Sequence, residues 1–244
     1  MRRPRSPLIA ALLGACLILG ACNQGGSTAS SETEPAPTAQ NQTNNAPGVN
    51  IHPRTDSPAP PSPSTSPSTP TPAAVPAGYA SVSAPTAGVT FAAPADWLVV
   101  SASEVQADES KLEDLAAQLN MSADSLRTIM SPVDIYVLDQ SGTQDFSNNI
   151  NVLSQTYSSA TVTEDAITAG IKSLGATPEQ FSTESTTNGD AYVLTYTWDM
   201  GGQTLEGAAM YIPNADGKYV SITITTLDTA LTGQIVSKII ATAA

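Results

Sequence analysis

Two cysteines, one histidine and 22 acidic residues are what this 244-residue chain offers for nucleophilic, metal or acid–base chemistry. Cys16 and Cys22 both lie near the start, and His52 lies in a proline-rich stretch. Residues 79–244 therefore contain no thiol and no imidazole. A Ser-His-Asp triad, a cysteine nucleophile and a zinc site built on His or Cys are excluded from that part of the chain. Carboxylate pairs remain, as in glycoside hydrolases, where one acid and one base or nucleophile flank the scissile bond. Glu104, Asp108 and Glu109 read as a solvated face.

Two further groups could bind without reacting. Asp139-Gln-Ser-Gly-Thr-Gln-Asp145, with Asn148 beyond it, offers oxygen ligands of the kind calcium prefers. Gly142 is the fourth residue of that loop rather than the sixth, and no Glu stands at the twelfth, so the spacing is not that of an EF-hand. A solvated hairpin loop explains the same residues. Neither a metal nor a cofactor is expected. The candidate binding residues are Tyr192, Tyr196 and Trp198, joined by Tyr211 and Tyr219. An aromatic stripe on a strand either lines a platform for an apolar or glycan ligand or packs across strands in the core. Trp198 precedes Asp199, Met200 and two glycines, so it sits near a hairpin tip and is the best candidate for an exposed contact.

The N-terminal segment reads as targeting rather than fold. Arg2, Arg3 and Arg5 precede an apolar run from Pro7 to Ala21, the layout of a secretory signal. The run is short of the roughly 20 apolar residues that a membrane span needs. It ends in Leu19-Gly20-Ala21-Cys22, which resembles the lipobox of bacterial lipoproteins. That resemblance implies thioether lipidation of Cys22 and cleavage before it. Leu13-Gly14-Ala15-Cys16 is a second copy, but cleavage there would leave Leu17, Ile18 and Leu19 on the mature chain. A signal peptide over residues 1–21 is therefore expected, with the mature protein held to the cell membrane or outer membrane through Cys22, its domain facing away from the cytoplasm.

Charge narrows the partners. Removing residues 1–21 takes away three of nine basic residues and leaves 22 acidic ones, a net charge of −16. Phosphate backbones and anionic headgroups repel such a chain, so nucleic acid is not an expected partner. Membrane attachment then depends on acyl chains rather than a basic patch. An envelope protein or a small ligand is the expected partner. Residues 22–78 carry the lipidated cysteine and then a Pro/Ser/Thr-rich arm with twelve prolines. Such a segment buries too little apolar surface to offset the entropy of ordering it. Fully extended in polyproline II it would reach about 170 Å. Thr69 and Thr71 are candidate O-glycosylation sites within it.

Residues 79–244 have the composition and length of one folded domain. Strands are expected from Val89 to Pro94, from Trp97, and over residues 133–139 and 149–157. A helical insert over 103–130 lies between them. Ser110-Lys-Leu-Glu113 reads as a capping box, with Leu112, Leu115, Ala116 and Leu119 as the buried stripe. Ser122 caps a second helix that buries Leu126, Ile129 and Met130, and Pro132 stops it. Thr163-Glu164-Asp165 opens a helix with acidic residues at its positive end. Three long strands follow, turning at Gly201-Gly202 and at Asn214–Gly217, and Asp228 or Thr229 caps a last helix. Hairpins with segregated helices predict an α+β domain: an antiparallel sheet with helices packed on it, both faces covered. The 103–130 insert either completes the core or forms a lid over an apolar groove.

Particular residues resemble the PsbP family, the extrinsic photosystem subunit, whose fold also occurs in actinobacterial lipoproteins of the LpqN type. They are Gly88-Val-Thr-Phe-Ala-Ala-Pro94-Ala-Asp-Trp97, Asp134-Ile-Tyr-Val, and Asn149-Ile-Asn-Val followed by the helix at 164. The resemblance spans residues 86–242. Asp96 departs from the expected glycine, and the 103–130 insert is longer than in compact members. The resemblance implies a PsbP-like α+β sandwich and a non-catalytic binding or assembly role, with no shared catalytic residues to carry over. A carrier of an apolar or glycan ligand is the alternative.

Overall fold

The computed structural model describes residues 74–118, 121–141 and 146–244. The expected signal peptide, Cys22, His52, the threonines at 69 and 71, Leu119 and Asp145 lie outside the described residues. Within them the chain is α+β. A hairpin of β1 (Tyr79–Ala84) and β2 (Val89–Pro94) precedes β3 (Leu98–Ser101). Three helices follow: α1 (Ala102–Ala107), α2 (Glu109–Gln118) and α3 (Ala123–Met130). Then come β4 (Val133–Leu138), β5 (Asn149–Tyr157) and α4 (Glu164–Ser173). The chain continues through β6 (Thr177–Thr186), β7 (Gly189–Met200), β8 (Gln203–Pro213) and β9 (Tyr219–Thr226) to α5 (Thr229–Thr242).

Seven strands form one antiparallel sheet in the order β3-β4-β5-β9-β8-β7-β6. Four long strands follow α4, not the three expected. The extra one, β6, reads Thr-Pro-Glu-Gln-Phe-Ser-Thr-Glu-Ser-Thr and has Phe181 as its one large apolar residue. That pattern belongs to an edge strand, where Pro and charge deter pairing with another chain. Apolar alternation therefore could not reveal it. The Gly201-Gly202 turn closes β7 onto β8 with φ of +60° and +90°. Positive φ at both central residues is what a type I′ hairpin demands.

The two faces of the sheet are covered differently. On one face α5 and the β1–β2 hairpin pack on Ile135, Val137, Val152, Val193, Met210 and Ile222. Ile235 and Ile239 of α5 are fully buried there. The C-terminal Ala244 trades backbone hydrogen bonds with Thr90 at 2.9 and 3.0 Å, tying the helix end to β2. The hairpin turn is pinned from below: Asp134 Oδ2 accepts from Thr86 N (2.8 Å) and Ala87 N (2.9 Å). Asn214 Nδ2 donates to Ala87 O at 2.9 Å.

The other face carries two separate apolar clusters. Toward β6–β8, α4 presses Ile167 and Ile171 onto Leu194, Tyr196 and Tyr211. Toward β3–β5, the insert presses Leu112, Leu115, Leu126 and Met130 onto Tyr136 and Leu138. The caps of α3, α4 and α5 are Ser122, Thr163 and Asp228, each accepting from an N–H in the first turn. At α2 the expected capping box is replaced. Asp108 Oδ1 accepts from Ser110 N (3.1 Å) and Lys111 N (3.3 Å), and Ser110 lies inside the helix. A carboxylate meets the positive helix end better than a hydroxyl does, and Asp108 was two residues upstream of the pattern.

Candidate binding face

Between the two helical clusters lies the middle of the second sheet face, and it is polar. Antiparallel register sets its rows. Asn151 of β5 pairs with Thr223 of β9, which pairs with Ala209 of β8. One row over, Ser221 of β9 pairs with Tyr211, which pairs with Tyr192 of β7. On the other side, Asn149 pairs with Thr225, Thr225 with Gly207, and Gly207 with Tyr196. Period-two alternation brings these residues onto one face while Val220, Ile222 and Ile224 point to the opposite core.

This seam is buried and incompletely satisfied. Asn151 is 1% exposed, and Ser221, Thr223 and Tyr211 are 0% exposed. Among the described residues, Asn151 Oδ1, Ser221 Oγ, Thr223 Oγ1 and Tyr211 OH find no hydrogen-bond partner. The Tyr211 and Ser221 hydroxyls lie near enough for Ser221 to favour the phenolate, yet neither completes a hydrogen bond. Each buried, unpaired polar atom costs roughly 1–3 kcal/mol, a large charge against a typical domain stability of about 5–15 kcal/mol. Flanking groups are better satisfied. Asn149 Nδ2 donates to Ser147 O at 3.0 Å, and the Tyr196 and Thr225 hydroxyls approach to 3.5 Å.

The aromatic stripe is split by α4. Tyr196 is 2% exposed and lies in the core with Leu194, so it does not present a ring to solvent as the sequence allowed. Burial pushes its phenol up to about 12, offset in part by Thr225. Tyr211 is fully buried and held higher still by burial and the neighbouring Tyr157, whose ring meets it edge-on at 5.8 Å. Tyr192 and Trp198 are half-buried. They stand six positions apart along the strand, about 20 Å, and Leu194 and Tyr196 fill the interval. They do not form one platform. Tyr192 instead lies in a stacked ladder between Phe181 (5.9 Å, 21°) and Tyr219 (5.4 Å, 14°). Both its faces are taken, and its hydroxyl is engaged by that of Tyr219 as well. Tyr219 OH donates to Asp190 O at 3.1 Å.

The remaining candidates are placed as follows. The Asp139 carboxylate accepts from Ser141 N (2.9 Å), Ser141 Oγ (2.6 Å) and Asn148 Nδ2 (2.9 Å). These bonds satisfy it from within its own turn. Glu109 and Asp124 both bind Arg127, at 2.8 and 2.7 Å, on an exposed surface. Among the described residues no group of three or more His, Cys, Asp or Glu converges on a metal position. Under the insert, Val100, Leu115, Leu126, Ile129, Met130, Tyr136 and Leu138 line an apolar void of about 10 Å³. That holds about one water-sized sphere, far short of an acyl chain.

Along β9, Ser221, Thr223 and Thr225 alternate with Val220, Ile222 and Ile224. Asn151 stood unmarked within an apolar strand. The available signal was polar residues at every second position of two central strands, where solvent exposure is impossible once both faces are covered.

No family model matches the sequence, and no curated protein matches it. Among solved structures, the chain is similar to the solution structure of cyanobacterial PsbP (CyanoP) from Synechocystis sp. PCC 6803. The two share 14% sequence identity with a TM-score of 0.41, over 66% of this chain and 91% of that one.

Proposed function

We propose that the chain is a lipid-anchored extracytoplasmic protein whose α+β domain works as a non-catalytic binding or assembly module. The observation that carries this reading is the placement of its reactive residues. Both cysteines and the histidine precede residue 79, and Leu19-Gly20-Ala21-Cys22 closes an apolar run behind three arginines. A folded domain without thiol or imidazole, behind a long Pro/Ser/Thr-rich arm, suits reach and capture better than turnover. The two buried carboxylates of the described fold are both committed, Asp134 to the Thr86 and Ala87 amides and Asp139 to Ser141 and Asn148. The acidic chain, repelled by anionic headgroups, would be kept at the cell membrane or outer membrane by acyl chains on Cys22.

Metabolic labelling with an alkyne-bearing fatty acid tests the anchor. The wild-type protein should take up label and fractionate with membranes, and Cys22→Ser should do neither. Equal labelling of both would sink it. Crosslinking in intact cells tests the module. One envelope protein captured by the wild-type domain supports it, and native mass spectrometry revealing a bound small molecule instead would favour the carrier reading. The void under the insert motivates that alternative, but its size requires α1–α3 to move before a chain could enter.

A further inference from the structure

The four unpartnered atoms of the polar seam form one patch. Asn151 and Thr223 are direct cross-strand partners, as are Ser221 and Tyr211, and Ser221 and Thr223 are two residues apart on β9. Direct partners have α-carbons about 4.5–5.5 Å apart, so the patch spans two adjacent rows. Its chemistry is uniform. Asn151 Oδ1 can only accept, and the three hydroxyls can donate or accept. Asn149, Thr225, Gly207, Ala209 and Leu194, which share this face, are all uncharged.

That chemistry selects an occupant. A charged ligand would lose its hydration and meet no counter-charge. An apolar ligand would leave all four atoms unpaired. A neutral O–H group donates to Asn151 Oδ1 and accepts from a hydroxyl at the same time. We infer that the seam is a binding site for neutral O–H groups at two positions. One bridges Asn151 and Thr223 across β5 and β9; the other bridges Ser221 and Tyr211 across β9 and β8. The O–H is supplied by internal water or by the alcohol groups of a small polyol, both of which suit the same atoms.

The sign of a stability change tests this. Thr223→Val is close to isosteric and removes one member of the patch. In a dry seam it deletes an unsatisfied hydroxyl and raises Tm. In an occupied seam it breaks a bridge, strands Asn151 and lowers Tm. We expect a lower Tm, and an Asn151–Thr223 double-mutant cycle with a coupling of threefold or more in the unfolding constant, although the two side chains share no direct bond. Water–protein cross-relaxation in NMR identifies the source: long-lived water signals near residues 151, 221 and 223, lost in the Ser221→Ala/Thr223→Val variant, mean water. Chemical-shift changes confined to the same residues on titration with glycerol mean a polyol. A raised Tm in Thr223→Val, or a seam with neither water signals nor a glycerol response, overturns the inference. If Thr223→Val fails to fold, Tyr211→Phe carries the same Tm sign test at the second position.

Discussion

The ring of Tyr196 fills the space that a side chain at Gly207 would need: Cζ, Cε2 and the hydroxyl lie where a Cβ would fall. The two residues are direct partners on β7 and β8. The aromatic thus lies across the bare backbone of its neighbour and reaches toward Thr225 on the next strand at 3.5 Å. A glycine weakens a strand unless something packs over it, and here Tyr196 supplies that packing.

Gly207→Ala should therefore lower stability by about 1–3 kcal/mol through overpacking in a filled core. Tyr196→Phe should cost little, because the hydroxyl contact is long. In the Gly207→Ala/Tyr196→Leu double variant the alanine penalty should shrink, giving a coupling of about 0.5–3 kcal/mol in urea unfolding. Strict additivity would show that the ring does not occupy the position 207 side-chain space.

The buried carboxylate of Asp134 joins β4 to the β1–β2 turn through two amides at 2.8 and 2.9 Å. Asp134→Ala removes the acceptor from both, and should cost about 2–4 kcal/mol. Asp134→Asn keeps an acceptor oxygen and should lose less. Amide exchange at Thr86 and Ala87 is the local check: both should accelerate in the alanine variant. Unchanged protection there would mean the turn is held by Asn214 alone.

Alkaline pH should unfold the domain by way of its buried phenols. Burial raises Tyr196 to about 12 and raises Tyr211 further, whereas an unfolded tyrosine titrates near 10. A folded-state value above the unfolded one contributes stability that is complete below about pH 10 and lost as the pH climbs toward 12 and beyond. Tyrosinate absorbance should rise in two steps, the second coinciding with loss of sheet circular dichroism. All seven tyrosines ionising together, with the sheet intact, would contradict the placement of these rings.

Asp139 should supply part of the acid sensitivity. Burial pushes its carboxyl up, but hydrogen bonds from the Ser141 hydroxyl and amide and from Asn148 outweigh this and hold it below the usual range. A depressed folded value contributes stability that is present above the unfolded value near 4 and lost as the pH falls through the folded one. Asp139→Asn should be less stable than wild type at pH 7, and the two should converge at acid pH. A constant difference from pH 7 to pH 2 would rule out this linkage.

Much of the domain was legible in local sequence. Ser122, Thr163 and Asp228 mark helix starts because a short polar side chain can satisfy the first free amides only there. Leu126, Ile129 and Met130, or Ile167 and Ile171, mark buried helix faces by spacing alone. Gly201-Gly202 marks a hairpin because few residues accept positive φ twice running. Strand β1 and edge strand β6 were missed because Val82 and Phe181 are nearly their only bulky apolar residues.

What the sequence by itself determined, then, are the properties that arise from neighbours along the chain: helix boundaries, turns, the α+β class, and the absence of thiol and imidazole beyond residue 78. Tertiary structure alone decided which side chains share a surface. It buried Tyr196 under α4, divided Tyr192 from Trp198, and gathered Asn151, Ser221, Thr223 and Tyr211 from three strands into one seam. The physical reason is register. A strand's alternation shows that its residues have two faces, but pairing between strands distant in sequence determines which face meets helix, solvent or another polar group.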